Sequence, residues 1–135
     1  MIGVDTNVLI RHIVGDDRGQ AAAAARFLAA RSADDPVFVS STVLVELIWT
    51  LGTRYRQPPA VVARIVESLL SSADVVVEGP ESVRRALADA VDANADLADA
   101  IIAHRAIDAG CDGIVTFDRR ARRLPGMLPL PEPAR

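Results

Sequence analysis

The chain contains no lysine: all fifteen of its basic residues are arginine. That absence excludes the mechanisms built on a lysine amine, namely the phosphate-binding P-loop, Schiff-base chemistry and kinase-type phosphoryl transfer. Cysteine is almost absent as well. A single residue, Cys111, permits neither an internal disulfide nor a thiolate metal cluster. Its place just before an expected strand reads as a small buried hydrophobe. No apolar stretch reaches the ~18–20 residues of a membrane span. The opening Met1-Ile2-Gly3-Val4-Asp5 carries no basic stretch of the kind that begins a secretory signal. A cytoplasmic setting with no membrane is the expectation. Histidine is scarce too. His12 and His104 lie far apart without zinc-type spacing, so both read as structural or surface residues.

What is present is acid and apolar residues. Half of the 135 residues are hydrophobic, which excludes a disordered chain, and the length suits one domain, residues 1–135, able to build its own core. The formal net charge is −3, whereas proteins that grip duplex DNA through many phosphates usually carry net positive charge. Any contact with nucleic acid must then be local, and arginine suits it, because its planar fork binds two phosphate oxygens at once.

Short β-rich runs alternate with helical patterns, without internal repeat or low-complexity linker. Residues 2–5, 37–40, 75–77 and 113–117 read as strands, mostly apolar without alternation as for strands covered on both faces. Helical patterns fall at 8–14, 21–33 (opening on five consecutive alanines), 43–54, 59–71, 80–93, 97–109 and, briefly, 119–124. The proline-rich residues 129–135 read as a flexible tail. Such alternation implies an α/β fold with a parallel sheet between helices. Ligands of such sheets bind beyond the carboxyl ends of the strands.

Two aspartates stand there. Asp5 closes the first strand and Asp118 the strand at 113–117, and neighbouring strands would bring both to one edge of the sheet. Each also precedes a helix, where Asp serves as an N-cap worth ~1 kcal/mol. Asp96 and Asp99, three apart at a helix start, resemble a capping box. Glu46 differs. It lies inside the pattern Val43-Leu44-Val45-Glu46-Leu47-Ile48-Trp49, whose apolar neighbours imply a largely buried helix. A buried carboxylate without a partner costs several kcal/mol or stays protonated. Glu46 therefore calls for a salt bridge to an arginine, a metal or a wet pocket. Carboxylates gathered together repel one another, and a hard divalent cation with oxygen ligands, Mg2+ or Mn2+, relieves that.

In order and spacing, Val4-Asp5-Thr6-Asn7-Val8-Leu9, Glu46 within Val43-Leu44-Val45-Glu46-Leu47-Ile48-Trp49, Ala98-Asp99-Ala100-Ile101-Ile102-Ala103 and Val115-Thr116-Phe117-Asp118 resemble the PIN-domain ribonucleases. Among these, the VapC-type toxins of bacterial type II toxin–antitoxin systems match across nearly the whole chain. The resemblance implies a three-layer α/β/α sandwich around a parallel sheet of about five strands. It also implies a Mg2+- or Mn2+-dependent endoribonuclease that hydrolyses RNA phosphodiester bonds with water as the attacking group. It carries catalysis and metal binding onto Asp5, Glu46, Asp99 and Asp118, with Asp96 a further metal candidate and Asn7 and Thr116 as polar supports. Arg11, Arg54, Arg56, Arg119 and Arg120 are candidates for holding the RNA backbone. A homodimer is implied, together with a VapB-type antitoxin whose C-terminal segment fills the acidic groove.

Two rivals use the same fold class. A haloacid-dehalogenase-type phosphatase needs a second Asp where this chain has Asn7, and both it and a response-regulator receiver need a lysine. A PIN-fold module that binds RNA or protein without activity would keep the same acids.

Overall fold

The computed structural model describes residues 1–134. They form two compact units, Met1–Gly79 and Pro80–Arg135, the last residue lying outside the described ones.

The first unit runs β1 (Ile2–Gly3), α1 (Thr6–Val14), α2 (Arg18–Ala29), β2 (Val37–Val39), α3 (Ser41–Thr53), α4 (Pro59–Ser71) and β3 (Val75–Val77). The three strands are parallel in the order β1-β2-β3, with Ile2 opposite Val37 and Val37 opposite Val75. Central β2 buries Val37 and Val39, while the outer strands leave Ile2 and Val76 exposed. Leu9 and Ile10 of α1, Leu44, Leu47 and Leu51 of α3, and Val62 and Val66 of α4 are buried with them.

Local chemistry explains the helix starts. Asp5 caps α1, Asp17 caps α2 by accepting from the Gln20 amide, Ser40 caps α3 by accepting from the Val43 amide, and Pro59 opens α4. Helix α1 stops where Gly15 turns left-handed at φ 71° and its N–H bonds the Arg11 carbonyl.

The second unit runs α5 (Pro80–Ala93), α6 (Leu97–Asp108), β4 (Ile114–Val115), a 3-10 turn (Ala121–Arg123) and β5 (Met127–Leu128). Val83 and Ala86 of α5 and Ala100, Ile101 and Ala103 of α6 are buried. Polar pairs pin the two helices. The His104 Nε2 stands 2.6 Å from Asp89, and Ser82 donates to Asp108, which Arg85 also reaches at 3.3 Å. Strands β4 and β5 pair in parallel, Ile114 opposite Met127. They approach closely at Gly113, where a Cβ would stand 2.8 Å from the Gly126 carbonyl oxygen and from a Leu128 methyl.

The α/β class and the parallel strands agree with the sequence reading. Among the described residues the hydrogen-bonded ladders hold three and two strands. Three expectations need correction. Strand β5 is not among the expected strands, because a two-residue strand is too short to show a pattern. Of the expected tail, 129–134 carry no helix or strand and residue 135 lies outside the described residues. The helix expected at 119–124 is only a 3-10 turn, closed by Asp118 at its start and stopped before Pro125. Cys111 is exposed, not buried. No helix among the described residues is long and apolar enough to cross a membrane.

Candidate active site

Within the first unit Asp5 follows β1 and the buried Val4, and its side chain is exposed. One oxygen, Oδ1, accepts the amides of Asn7 (3.0 Å) and Val8 (3.3 Å). That capping bond fixes the carboxylate, and Oδ2 accepts nothing among the described residues. Asn7 meets Asp5 through its backbone N–H, a contact that any residue but proline could make there. Both line a cleft of about 640 Å3 between α1 and α2, with Arg11, Gln20 and Phe27 on its walls.

Arg11 is already engaged. Its Nε donates to Gln20 at 2.7 Å and its Nη1 to Asp16 at 3.1 Å. The Tyr55 hydroxyl donates to the same Asp16 at 2.9 Å, and that bond, with Arg11 beside it, holds the Asp16 carboxyl below its ordinary value. Reaching a phosphate would cost Arg11 this network. Arg54, at the end of α3, lies over the Tyr55 ring at 5.7 Å, and Arg56 is exposed with φ at 51°.

Glu46 departs from the expected burial. It is exposed on α3, and Trp49, three residues on, is exposed too. Neighbours in sequence were the wrong guide. Neighbours on a helix stand three, four and seven residues apart, and along that line Thr42, Glu46, Trp49 and Thr53 make one exposed stripe. Leu44, Leu47, Ile48 and Leu51 make the buried one. Glu46 thus owes water, not a buried cation, for its charge.

Within the second unit three aspartates act on one another. Asp96 caps α6 by accepting the Asp99 amide at 3.1 Å. Asp118 accepts the amides of Arg120 (2.8 Å) and Ala121 (3.2 Å), and its own amide donates to Thr116 Oγ1 at 3.0 Å. Thr116 thus holds the backbone at Asp118 and does not touch its carboxylate. Asp99 sits between these roles. It is half-buried in the first turn of α6 beside Ala98 and Ala100, and its carboxylate has no hydrogen bond or ion pair among the described residues. Burial, then the charges of Asp96 and Asp118, raise its pKa above the ordinary value. Of the other basic candidates, Arg120 donates its Nε to the Asn94 carbonyl at 3.1 Å, while Arg119 is exposed.

A model of the PIN domain family matches residues 2–127. The chain belongs to the PIN-domain family. Among curated proteins, no relative matches it. PIN domains are generally nucleases, hydrolases that use divalent metals. The PIN match spans the segments of Asp5, Glu46, Asp96, Asp99 and Asp118.

The donor chemistry suits such an ion. Every candidate is a carboxylate, the ligand type that hard cations prefer, and Asp99 is held among like charges without a partner. Among the described residues no group of three His, Cys, Asp or Glu side chains is arranged to hold a metal. Mg2+ does not require one, since it usually takes one or two carboxylates and completes its shell with water and phosphate.

Proposed function

We propose that this PIN domain is the toxin of a type II toxin–antitoxin pair, a VapC-type endoribonuclease that hydrolyses RNA with the help of Mg2+ or Mn2+. The observation that supports it most is Asp99, a half-buried carboxylate with no partner whose proton affinity is raised by burial and by Asp96 and Asp118. A group merely structural would be neutralised or paired. The family match, running through both units, supports reading residues 1–135 as one domain.

Asp5 and Asp99 would be the principal ligands, with Asp96 the reserve. A bound ion would supply Lewis acidity toward the scissile phosphate and acidify a nearby water. The chain's own part is to present oxygens that accept protons. Asp5 keeps Oδ2 open while Oδ1 is tied to two amides. Asp118 is fixed by Thr116 and by the amides it caps, and it would orient water with Glu46, whose exposure leaves its carboxylate open to solvent. No protein nucleophile is required. The proposal includes a homodimer and a VapB-type antitoxin, whose binding would hold the toxin inactive in the cytoplasm.

A second reading, a PIN-fold module without activity, draws on the capping bonds of Asp5, Asp96 and Asp118, each sufficient to explain an Asp at its position. One assay separates them. The purified chain is incubated with cellular RNA in Mg2+, Mn2+ or EDTA, alongside Asp5→Asn. The nuclease cleaves only with metal and the variant does not. Equal cleavage by the variant rejects the site, and no cleavage of any RNA favours the binding module.

A further inference from the structure

We propose that Trp49 and Phe117 are nucleobase platforms, each stacking an unpaired base of a single-stranded nucleic acid beside a candidate acid. The nuclease reading supplies the reason for nucleic acid to come there; the binding test below does not depend on cleavage.

The chain has five aromatic residues. Phe27, Phe38 and Tyr55 are partly buried, but Trp49 is 63% exposed and Phe117 85% exposed. A buried ring of this size removes 150–250 Å2 from water, and that contribution to stability is largely forgone at both positions. Both exposed rings adjoin a candidate acid. Trp49 lies three residues from Glu46 on one helix face, where Cβ atoms stand ~5–6 Å apart. Phe117 immediately precedes Asp118.

The surroundings suit a base better than a protein partner. The core of a protein interface is a contiguous apolar patch with few charges. The Trp49 ring stands instead in the stripe of Thr42, Glu46 and Thr53, all exposed. Past the end of α3 come Arg54 and Arg56, and past Phe117 comes Arg119, all exposed. At Trp49 a π-face among charged and polar groups, with arginines following, matches the way single strands are held: bases on rings, phosphates on cations. Phe117 has exposed Val115 and its cross-strand partner Leu128 near it, so there the case rests on the 85% exposure of the ring and on Asp118 and Arg119 beside it. Bases inside a duplex offer no face to stack, so the class of substrate is unpaired RNA, in loops, bulges or ends.

Trp49 is the only tryptophan, so intrinsic fluorescence reports on it alone. The full chain is titrated in Ca2+, and again in EDTA, with a single-stranded oligoadenylate and with an abasic strand of the same length and charge. Labelled strands give Kd by anisotropy. The proposal expects saturable quenching by oligoadenylate and none by the abasic strand. Trp49→Ala and Phe117→Ala should each raise Kd roughly 5- to 100-fold, the worth of one base–aromatic stack, and Trp49→Phe should recover most of the loss. Phe117→Trp in a Trp49→Phe background moves the probe to the second ring and should quench likewise. Equal affinity for both strands with unchanged fluorescence overturns the proposal. So does failure of the oligoadenylate to bind, or a blue shift that grows with protein concentration alone, which would mean that a second copy covers Trp49. Quenching in a chain that cleaves nothing would keep the platforms and discard the nuclease. Cleavage unaffected by either alanine variant would do the reverse.

Discussion

Replacing Asp99 with asparagine should stabilise the metal-free protein, the opposite of what most substitutions at a half-buried polar position do. The carboxylate of Asp99 accepts no hydrogen bond, so asparagine forfeits none, and it removes a charge opposed by burial and by Asp96 and Asp118. The sign follows from linkage. A carboxyl whose folded pKa is raised binds its proton more tightly in the folded state, so stability falls as pH climbs from the unfolded value of 3.8 through the folded value, and the deficit persists at neutral pH. Burial opposes the charge first and the like charges of Asp96 and Asp118 second, and solvent screening at a partly exposed site keeps such effects small, so the gain should be about 0.5–1 kcal/mol. An unfolding entropy near 2.1 cal/mol/K per residue converts it to a rise of roughly 2–4 °C in Tm for a chain of this length. Thermal melts followed by circular dichroism in EDTA at pH 7.5 and at pH 3 check it. The gain should appear at pH 7.5 and vanish at pH 3. Mn2+ should then stabilise the wild type and not the variant, by ~2.7 kcal/mol at a hundredfold excess over Kd. A variant that melts lower than wild type in EDTA at pH 7.5 would show that the carboxylate is satisfied in the fold and would refute the reasoning.

Other outcomes follow from the same structure. Gly113→Ala drives a Cβ to 2.8 Å from the Gly126 carbonyl oxygen and should cost about 1–3 kcal/mol in urea unfolding as β4 and β5 separate. Tyr55→Phe removes the strongest cause of the lowered Asp16 pKa. That lowered pKa adds stability above the ordinary 3.8 and loses it as pH falls through the lowered value, so the two Tm–pH curves should lie apart at neutral pH and merge in acid. Expression without an antitoxin should arrest bacterial growth, with Glu46→Gln relieving the arrest in a plating assay.

The fold class was legible because it is written in periodicity. Alternating apolar strands and helical patterns sufficed for the parallel α/β arrangement, and the capping residues Asp5 and Asp96 fell where helices begin. Short elements were not legible: Met127–Leu128 becomes a strand only by pairing with Ile114–Val115, a contact that local sequence does not encode. In the candidate site the weight moved. Glu46 looked buried because its sequence neighbours are apolar, yet the helix turns it outward with Thr42 and Thr53. Asp99 looked like half of a capping box, yet it only donates its amide to Asp96 and leaves its carboxylate unpaired. The exposure of Trp49 could have been read from the same spacing that exposes Glu46.

The most direct test of a metal-dependent nuclease built on these acids is Mn2+ binding, followed by electron paramagnetic resonance, on wild type and Asp99→Asn, with RNA cleavage measured on the same samples. The account predicts that wild type binds Mn2+ and cleaves, that the variant loses both together, and that EDTA abolishes cleavage by wild type. Cleavage by Asp99→Asn at the wild-type rate, or by wild type in EDTA, would contradict it.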